Sequence, residues 1–247
     1  MKQFPFLIFI LLAFTSCSKE LTFENETFEE KSKIPCKKDC PTINLDVPIA
    51  KNGKIIGDSI NRKIFTVIKE IVYFGEKPSK IKDYRSLASS FIDSYEEMHQ
   101  KFPTETFGWE AKIKGNVEFQ SSQILNIRLD HYTFTGGAHG YQGYRSLLFN
   151  LKTGKTILSN QLFKNENVFK AFAEKAFRKK YKIPAEASIN ATGLMFENDQ
   201  FQLPENIFYT SEGLLLYYNS YEAASYADGP KDILFSYDEV NKYLKFQ

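Results

Sequence analysis

The sequence predicts an α+β fold of antiparallel sheets with packed helices. Two observations lead to this prediction. Stretches of alternating apolar and polar residues, typical of half-buried strands, recur along the chain beside stretches with apolar residues at helical spacing. These helical and extended stretches do not alternate regularly, as they would in a chain of βαβ units. The alternation also leaves polar residues on one side of most strands, which is typical of antiparallel sheets.

The first half of the chain contains an early strand, two helices and a series of strands. Ile43, Leu45 and Val47 alternate as in a strand, and Gly115-Asn116 is expected to turn the chain between two short strands. Apolar residues at helical spacing predict one helix over about 60–72 and another over about 79–100. The later extended segments are expected at 109–113, 117–119, 124–134 and 141–151, with a hairpin turn at 152–155.

The second half begins with a helix and continues as short strands. Apolar residues from Val168 to Phe177 follow a helical period, and the basic residues at 178–180 suit the negative end of that helix. A hairpin is expected around 211–213, and a last strand at 233–235. Ser236 and Glu239 form a capping box for a final short helix.

The composition gives no indication of a strongly charged binding surface. The 247 residues carry a net charge of +2, with 25% charged residues. Nucleic-acid binding is therefore not expected, since it requires a basic surface. The 23 Phe and 14 Tyr residues are explained by a β-rich core, with a Tyr-rich recognition surface as the alternative.

Residues 1–16 are expected to be an export signal. Lys2 precedes nine continuous apolar residues, Phe6–Phe14. As a helix they would span about 14 Å, too short for a bilayer core of about 30 Å, but suited to the apolar region of a signal peptide. Small residues and then Cys17 follow, and this junction resembles the lipobox of bacterial lipoproteins, although Phe14 stands where Leu is usual. We expect Cys17 to carry the lipid; an ordinary secreted protein is the alternative.

These features imply a protein of the cell envelope, lipid-anchored to the inner or outer membrane and facing the periplasm or the outside. Residues 17–42 are polar and are expected to form a flexible tether. Of the three cysteines, Cys36 and Cys40 remain once Cys17 is lipidated, and they are candidates for a local disulfide. A zinc site is less favoured because no nearby residue completes four ligands.

The segment Thr135-Gly-Gly-Ala-His-Gly140 interrupts the strand pattern and draws attention to its neighbours. Its glycines could cradle an anion, although a turn or bulge that needs glycine explains them more simply. His131 and His139 could bind a metal with Asp130 or act as acid and base. Asp130 should point to the opposite face from His131, which disfavours a chelate and favours structural roles. Glu222, in a later segment, is either a buried acid or an acceptor for turn amides.

Several segments together resemble a paired domain of the bacterial envelope. They are Asp130–Gly140, Phe149–Lys155, Leu158–Phe163, Tyr221–Gly229 and Ile233–Tyr237. The pair occurs in the extracytoplasmic part of the sigma-V anti-sigma factor, where it is a lysozyme receptor, and ahead of the catalytic domain of the peptidoglycan deacetylase PdaC. Ser225 stands where the family often has Pro. The resemblance implies two adjoining subdomains, expected at 43–155 and 156–247.

The resemblance also implies a non-catalytic binding module, here expected alone on a lipid anchor. Its ligand would be lysozyme, another envelope protein or peptidoglycan, and the near-neutral charge does not favour steering toward a cationic protein. Two alternatives stay open: an envelope glycan hydrolase or deacetylase using His131 or His139, and a purely structural assembly lipoprotein. No cofactor or metal is expected. The ligand-binding candidates are Tyr132, Gly136, Gly137, His139 and Tyr141.

Overall fold

The computed structural model describes residues 21–36, 40–73, 81–104 and 107–246. These residues form the α+β fold that the sequence predicts. A six-stranded sheet contains, in this order, β1 (Phe23–Lys31), β2 (Thr42–Ala50), β3 (Glu110–Gln120), β4 (Ile124–Phe134), β5 (Tyr141–Asn150) and β6 (Lys155–Thr156). A smaller sheet contains β7 (Asn206–Tyr209), β8 (Leu214–Tyr218) and β9 (Lys231–Phe235). The α-helices are α1 (Lys54–Val72), α2 (Tyr84–Lys101), α3 (Glu166–Lys180) and α4 (Tyr237–Val240).

Helices α1 and α2 cover one face of the large sheet. The odd-numbered residues of β2, β3 and β4, such as Leu45, Ile113 and Leu129, are buried in one core with the apolar stripes of both helices. Helix α2 begins later than the sequence predicts. Asp83 accepts a hydrogen bond from the Ser86 N–H at 2.7 Å, and this capping box sets the start at Tyr84.

The large sheet is antiparallel, as the sequence predicts, except at one pair of strands. Strands β2 and β3 run parallel, with Leu45 opposite Ile113, while the other pairs are antiparallel. A parallel pair needs a long crossover connection. Helices α1 and α2 supply it, because they lie between β2 and β3 in the chain and pack on the sheet.

The flexible tether expected at residues 17–42 is wrong for 23–31. This segment forms β1, an antiparallel edge strand paired with β2 along its whole length. The sequence hides the strand because Glu26 and Glu30 flank Phe28 on the inward face, where a core strand would carry apolar residues. Inward-pointing charges are a common feature of edge strands, since they discourage pairing with another chain.

The connection between β1 and β2 is closed by a disulfide. Cys36 and Cys40 are bonded, with their Cα atoms 5.5 Å apart, and they are the pair that remains if Cys17 is lipidated. The bond therefore restrains the link between two paired strands and does not lie in a free tether. Cys17 itself and the expected signal peptide at 1–16 lie outside the described residues.

Strand β3 runs continuously through Gly115, so the expected turn at Gly115-Asn116 is wrong. Glycine is required at this position because side chains of the neighbouring strands lie too close to leave room for a Cβ. A Cβ at this position would lie 2.5 Å from Pro48 Cδ and 2.9 Å from Leu129 Cδ2. A glycine inside a strand pattern often marks such a contact, and here it lets β3 pass between its neighbours without breaking.

The second half of the chain packs on the other face of the large sheet, at one end. Ile124 of β4 and Leu148 of β5 are buried in a second core with Phe169 and Phe177 of α3 and Tyr218 of β8. The remainder of this face, at the other end of β2–β5, carries exposed and half-exposed polar side chains. The capping box of Ser236 and Glu239 starts α4 as predicted.

Candidate functional site

The Thr135–Gly140 loop is the connection of the β4–β5 hairpin, and it lies at the surface. Gly136 and Gly137 have φ angles of 111° and 93°, and no atom lies within 4 Å of a Cβ built on either. Both glycines are therefore explained by backbone conformations that other residues rarely adopt. Gly140 is buried for a different reason, because the ring of Tyr132 lies directly over it.

This hairpin loop meets the distant 219–230 loop, which contains the other characteristic segment of the sequence. The rings of His139 and Tyr226 are stacked, with centroids 3.9 Å apart and an interplanar angle of 17°. The Tyr226 hydroxyl donates a hydrogen bond to Gly140 O at 3.2 Å, and His139 Nδ1 lies 2.9 Å from the same oxygen. Two segments far apart in the sequence thus form one surface.

Beside this contact lies a groove of about 330 Å³, here called the tyrosine groove. Its lining residues are Gln142, Tyr144, Tyr217, Ser220, Tyr226, Gly229 and Pro230. They come from β5, β8 and the 219–230 loop, so both halves of the chain build the groove. Tyr226 is 37% exposed, and the adjoining Tyr221 is 53% exposed with its ring centroid 5.7 Å from that of Tyr226.

The floor of the tyrosine groove is held in place by packing. The Arg128 guanidinium lies 4.2 Å from the centroid of the Tyr144 ring, and Tyr217 meets that ring edge-on at 4.8 Å. Asp130 fixes Arg128 through a 2.7 Å hydrogen bond to its Nε. Cation–π and edge-to-face contacts of this kind orient aromatic rings. The groove therefore presents pre-oriented ring surfaces.

Asparagine side chains join the two halves beneath the groove. Asn219, at the end of β8, accepts from the Tyr144 N–H at 2.8 Å and donates to Tyr144 O at 3.0 Å. Asn206 accepts from the Ser146 N–H at 3.0 Å. Strand β6 pairs only with the last two residues of β5, so the backbone groups of Tyr144 and Ser146 have no partner among the described strands on that side. The two amides therefore replace part of the missing strand.

Asn126 completes this junction from within the large sheet. It is fully buried, donates to Ser146 Oγ at 2.9 Å and accepts from the Tyr209 N–H at 2.8 Å. Buried amides are costly unless they are hydrogen-bonded. The hydrogen bonds of Asn126 to Ser146 and Tyr209 specify how the second sheet sits on the first, and hence the shape of the groove above it.

A second, shallower groove of about 390 Å³ lies on the helix-free face of the large sheet, here called the sheet-face groove. Its lining residues are Asn44, Asp46, Lys112, Ile113, Lys114, Asp130, His131, Tyr132 and Gln142. Gln142 lines both grooves, so they adjoin.

The ligand-binding candidates from the sequence divide between these features. Tyr132 lines the sheet-face groove, and His139 borders the tyrosine groove through its contact with Tyr226. Gly136 and Gly137 shape the loop between them. Tyr141 lies elsewhere: it is half-buried on the opposite face of β5, with its ring 5.8 Å from that of His131.

His131 and its neighbours do not assemble an acid–base pair. The His131 side chain is 95% buried, and neither ring nitrogen has a hydrogen-bond partner among the described residues. Burial and the nearby positive Arg145 lower the pKa of His131 to about 4. Asp130 points to the other face, as strand alternation predicts, and is engaged by Arg128.

Glu222 acts as an acceptor for turn amides. Its carboxylate accepts from the Glu205 N–H at 2.7 Å and from the Asn219 N–H at 2.9 Å. Burial raises the pKa of Glu222 despite these hydrogen bonds. Since it holds the backbone of Asn219, Glu222 supports the junction beneath the tyrosine groove.

Sequence reasoning missed Tyr144, Tyr217 and Tyr226 as site residues. Tyr226 lies inside the Tyr221–Gly229 segment, so the pairing of that segment with the hairpin loop was a usable signal. Tyr144 and Tyr217 lie in ordinary alternating strands and carry no local signal of their meeting. In the described part of the chain, no cluster of His, Cys, Asp or Glu could hold a metal ion, and no helix is both long and apolar enough to cross a membrane.

Comparisons with known families separate the chain into two parts. Residues 34–142 match the family model described as deacetylase PdaC, and residues 157–238 match the model described as a protein of unknown function, DUF3298. The two matched regions follow one another along the chain. The first match ends within β5 and the second begins just after β6. The tyrosine groove therefore takes residues from both matched regions and, at Tyr144, from the segment between them.

Solved structures with this architecture exist. A DUF3298 family protein from Pseudomonas aeruginosa PAO1 is 20% identical, with a TM-score of 0.66 over 92% of this chain and 96% of that one. A DUF3298 family member from Bacteroides fragilis is also 20% identical, with a TM-score of 0.69 over 92% of this chain and 94% of that one. At this identity they show the shared fold. No curated protein matches the chain.

Proposed function

We propose that this chain is a lipid-anchored envelope protein whose tandem domains form a non-catalytic module that binds the glycan strands of peptidoglycan in the tyrosine groove. The observation that carries the proposal is the groove itself. Its Tyr144 and Tyr217 rings are oriented by their mutual contact and by Arg128. Its Tyr226 ring is oriented by His139 and Gly140. The amide of Gln142 and the hydroxyl of Ser220 lie beside these rings. The groove's volume of about 330 Å³ falls in the range of small-ligand sites.

The chemistry of the lining favours an uncharged, hydroxyl-rich ligand. None of the seven lining residues carries a formal charge at neutral pH. Burial raises the pKa of Tyr217 to about 12, so its hydroxyl stays protonated and remains a hydrogen-bond donor. A sugar ring has an apolar C–H face and a polar rim, and it therefore matches an aromatic ring with hydrogen-bonding neighbours.

Cosedimentation with purified peptidoglycan sacculi tests the proposal. Tyr226→Ala removes the exposed ring that joins the two loops, and we expect sacculus affinity to fall about tenfold, which corresponds to about 1.4 kcal/mol. Tyr226→Phe keeps the ring and should retain most of the binding. Val168→Ala, at an exposed apolar position of α3 that lines neither groove, is the control.

Two results would contradict this function. Failure of the unaltered chain to sediment with sacculi would remove the peptidoglycan ligand, and capture of an envelope protein in its place would favour a protein partner. Release of acetate or of sugar fragments from sacculi would contradict a non-catalytic role and favour an enzyme.

The lipid anchor is a separate part of the proposal. Its support is the apolar segment and the small residues before Cys17. Fatty-acid labelling of cells should mark the unaltered protein, while Cys17→Ser should lose the label and leave the membrane fraction. Cys36→Ser is the matched control and should keep the label. Persistent membrane association of the Cys17→Ser protein would exclude this anchor.

A further inference from the structure

We propose that the sheet-face groove extends the tyrosine groove into one continuous site, so that the ligand is a linear glycan of several sugar units lying across the strands. The inference rests on the proposed glycan-binding function and deepens it, because it specifies a polymer. Its starting observation is that Gln142 lines both grooves.

Strand register places the side chains of this face in two rows. The first row crosses the sheet as Asn44, Lys112, Tyr132 and Gln142. The second crosses it as Asp46, Lys114, Asp130 and Tyr144. All eight positions are even-numbered and therefore point to the helix-free face.

Both rows end in the tyrosine groove. Gln142 closes the first row and Tyr144 closes the second, and both residues line that groove. Four adjacent strands at about 4.8 Å separation span about 14 Å, so each row is a polar track of that length. A chain-like ligand with one end on the tyrosine rings would lie along these tracks.

The charges on the tracks are balanced. The sheet-face groove contains two lysines and two aspartates, so it presents no net field that would attract a polyanion or a polycation. Along the second row an ammonium lies between two carboxylates, at Asp46, Lys114 and Asp130. Donors and acceptors thus alternate, as hydroxyl and acetamido groups of a neutral glycan require.

Lys114 is the most available of these groups. It is exposed, and none of the ion pairs found among the described residues involves it. By contrast, Lys112 pairs with Glu110 at 2.5 Å and Asp130 is held by Arg128. A glycan hydroxyl at Lys114 would gain a charge-assisted hydrogen bond, which is stronger than a neutral one.

A length series of N-acetylglucosamine oligomers tests the inference by calorimetry on the purified chain in detergent. We expect the hexamer to bind at least about tenfold more tightly than the dimer, because the longer oligomer extends past the row ends at Gln142 and Tyr144 to Lys114. In Lys114→Met this ratio should fall toward one. Lys175→Met, at an exposed lysine on α3, is the matched control and should keep the ratio. Circular dichroism and thermal midpoints verify that both variants are folded.

The outcomes separate the two proposals. Equal affinity for dimer and hexamer in the unaltered chain would overturn the extended site while leaving the tyrosine groove as a short glycan site. Binding of neither oligomer, together with no binding to sacculi, would contradict both. Displacement by a stem tetrapeptide that Lys114→Met abolishes, without any dependence on glycan length, would assign the sheet-face groove to peptide and overturn the inference.

Discussion

His131 makes the stability of the protein depend on pH, with a sign that the structure determines. Its imidazole is buried beside Tyr141 and the positively charged Arg145, and its pKa falls to about 4 from an ordinary value of 6.5. The unfolded chain therefore takes up a proton at a higher pH than the folded chain does. The contribution of the neutral His131 to the free energy of unfolding is complete above pH 6.5. It is lost progressively as the pH falls from 6.5 toward 4.

The size of this effect follows from the shift. About 2.5 pKa units at 1.36 kcal/mol per unit correspond to a loss of about 3 kcal/mol between neutral pH and pH 4. Urea unfolding at intervals from pH 7 to pH 4 measures it. Carboxylates also titrate near the lower end of this range, so the informative quantity is the difference between the unaltered chain and His131→Leu.

His131→Leu replaces the titrating ring with an apolar side chain of similar size. The free energies of unfolding of the unaltered chain and of the variant should diverge as the pH is lowered. Between pH 7 and pH 4 the variant should lose about 3 kcal/mol less than the unaltered chain. At pH 7 the variant should be at least as stable, because it no longer buries two ring nitrogens without partners. If the free energy of unfolding changed with pH in the same way in both proteins, His131 would not be a buried, neutral imidazole in the folded state.

Two further substitutions test the junction between the domains. Asn126→Ala should cost about 1–3 kcal/mol in urea unfolding, because the buried Tyr209 N–H loses its acceptor; a change below about 0.5 kcal/mol would contradict the role given to this amide. Gly143→Ala should lower the thermal midpoint, since its Cβ would lie 2.9 Å from His131 Nε2 and 3.1 Å from Asn219 Oδ1; an unchanged midpoint would show that these side chains are not held in place.

The sequence predicts those parts of the fold in which local pattern and tertiary environment agree. Strand β4 alternates because its odd-numbered apolar residues face the core beneath α1 and α2, while Asp130 and Tyr132 face the open side of the sheet. Helix α3 keeps an apolar stripe because one side of it is buried. Strand β1 is missed since its inward face carries Glu26 and Glu30, and an edge strand is held by backbone pairing more than by apolar burial.

The site is predicted only in part because it forms through long-range pairing. The hairpin loop with His139 is visible as an interruption in a strand pattern, and Tyr132 lies on a predicted strand. Nothing local indicates that Tyr144 would meet Tyr217, or that Asn219 would pair with an unpaired strand edge. These contacts depend on how the second sheet docks, which periodicity alone does not specify. Tyr141 lies on the opposite face of β5 from Tyr144, because successive residues of a strand point to opposite faces.

Fluorine NMR of the chain labelled with 3-fluorotyrosine tests the central claim most directly. Single Tyr→Phe variants assign the resonances, and N-acetylglucosamine hexamer is the titrant. The resonances of Tyr144, Tyr217 and Tyr226 should shift together with one saturation curve, while Tyr243, which packs on Phe169 and Phe172 in the second core, should not move. Shifts confined to tyrosines outside the groove, or none in the presence of bound glycan, would contradict the tyrosine groove as the binding site.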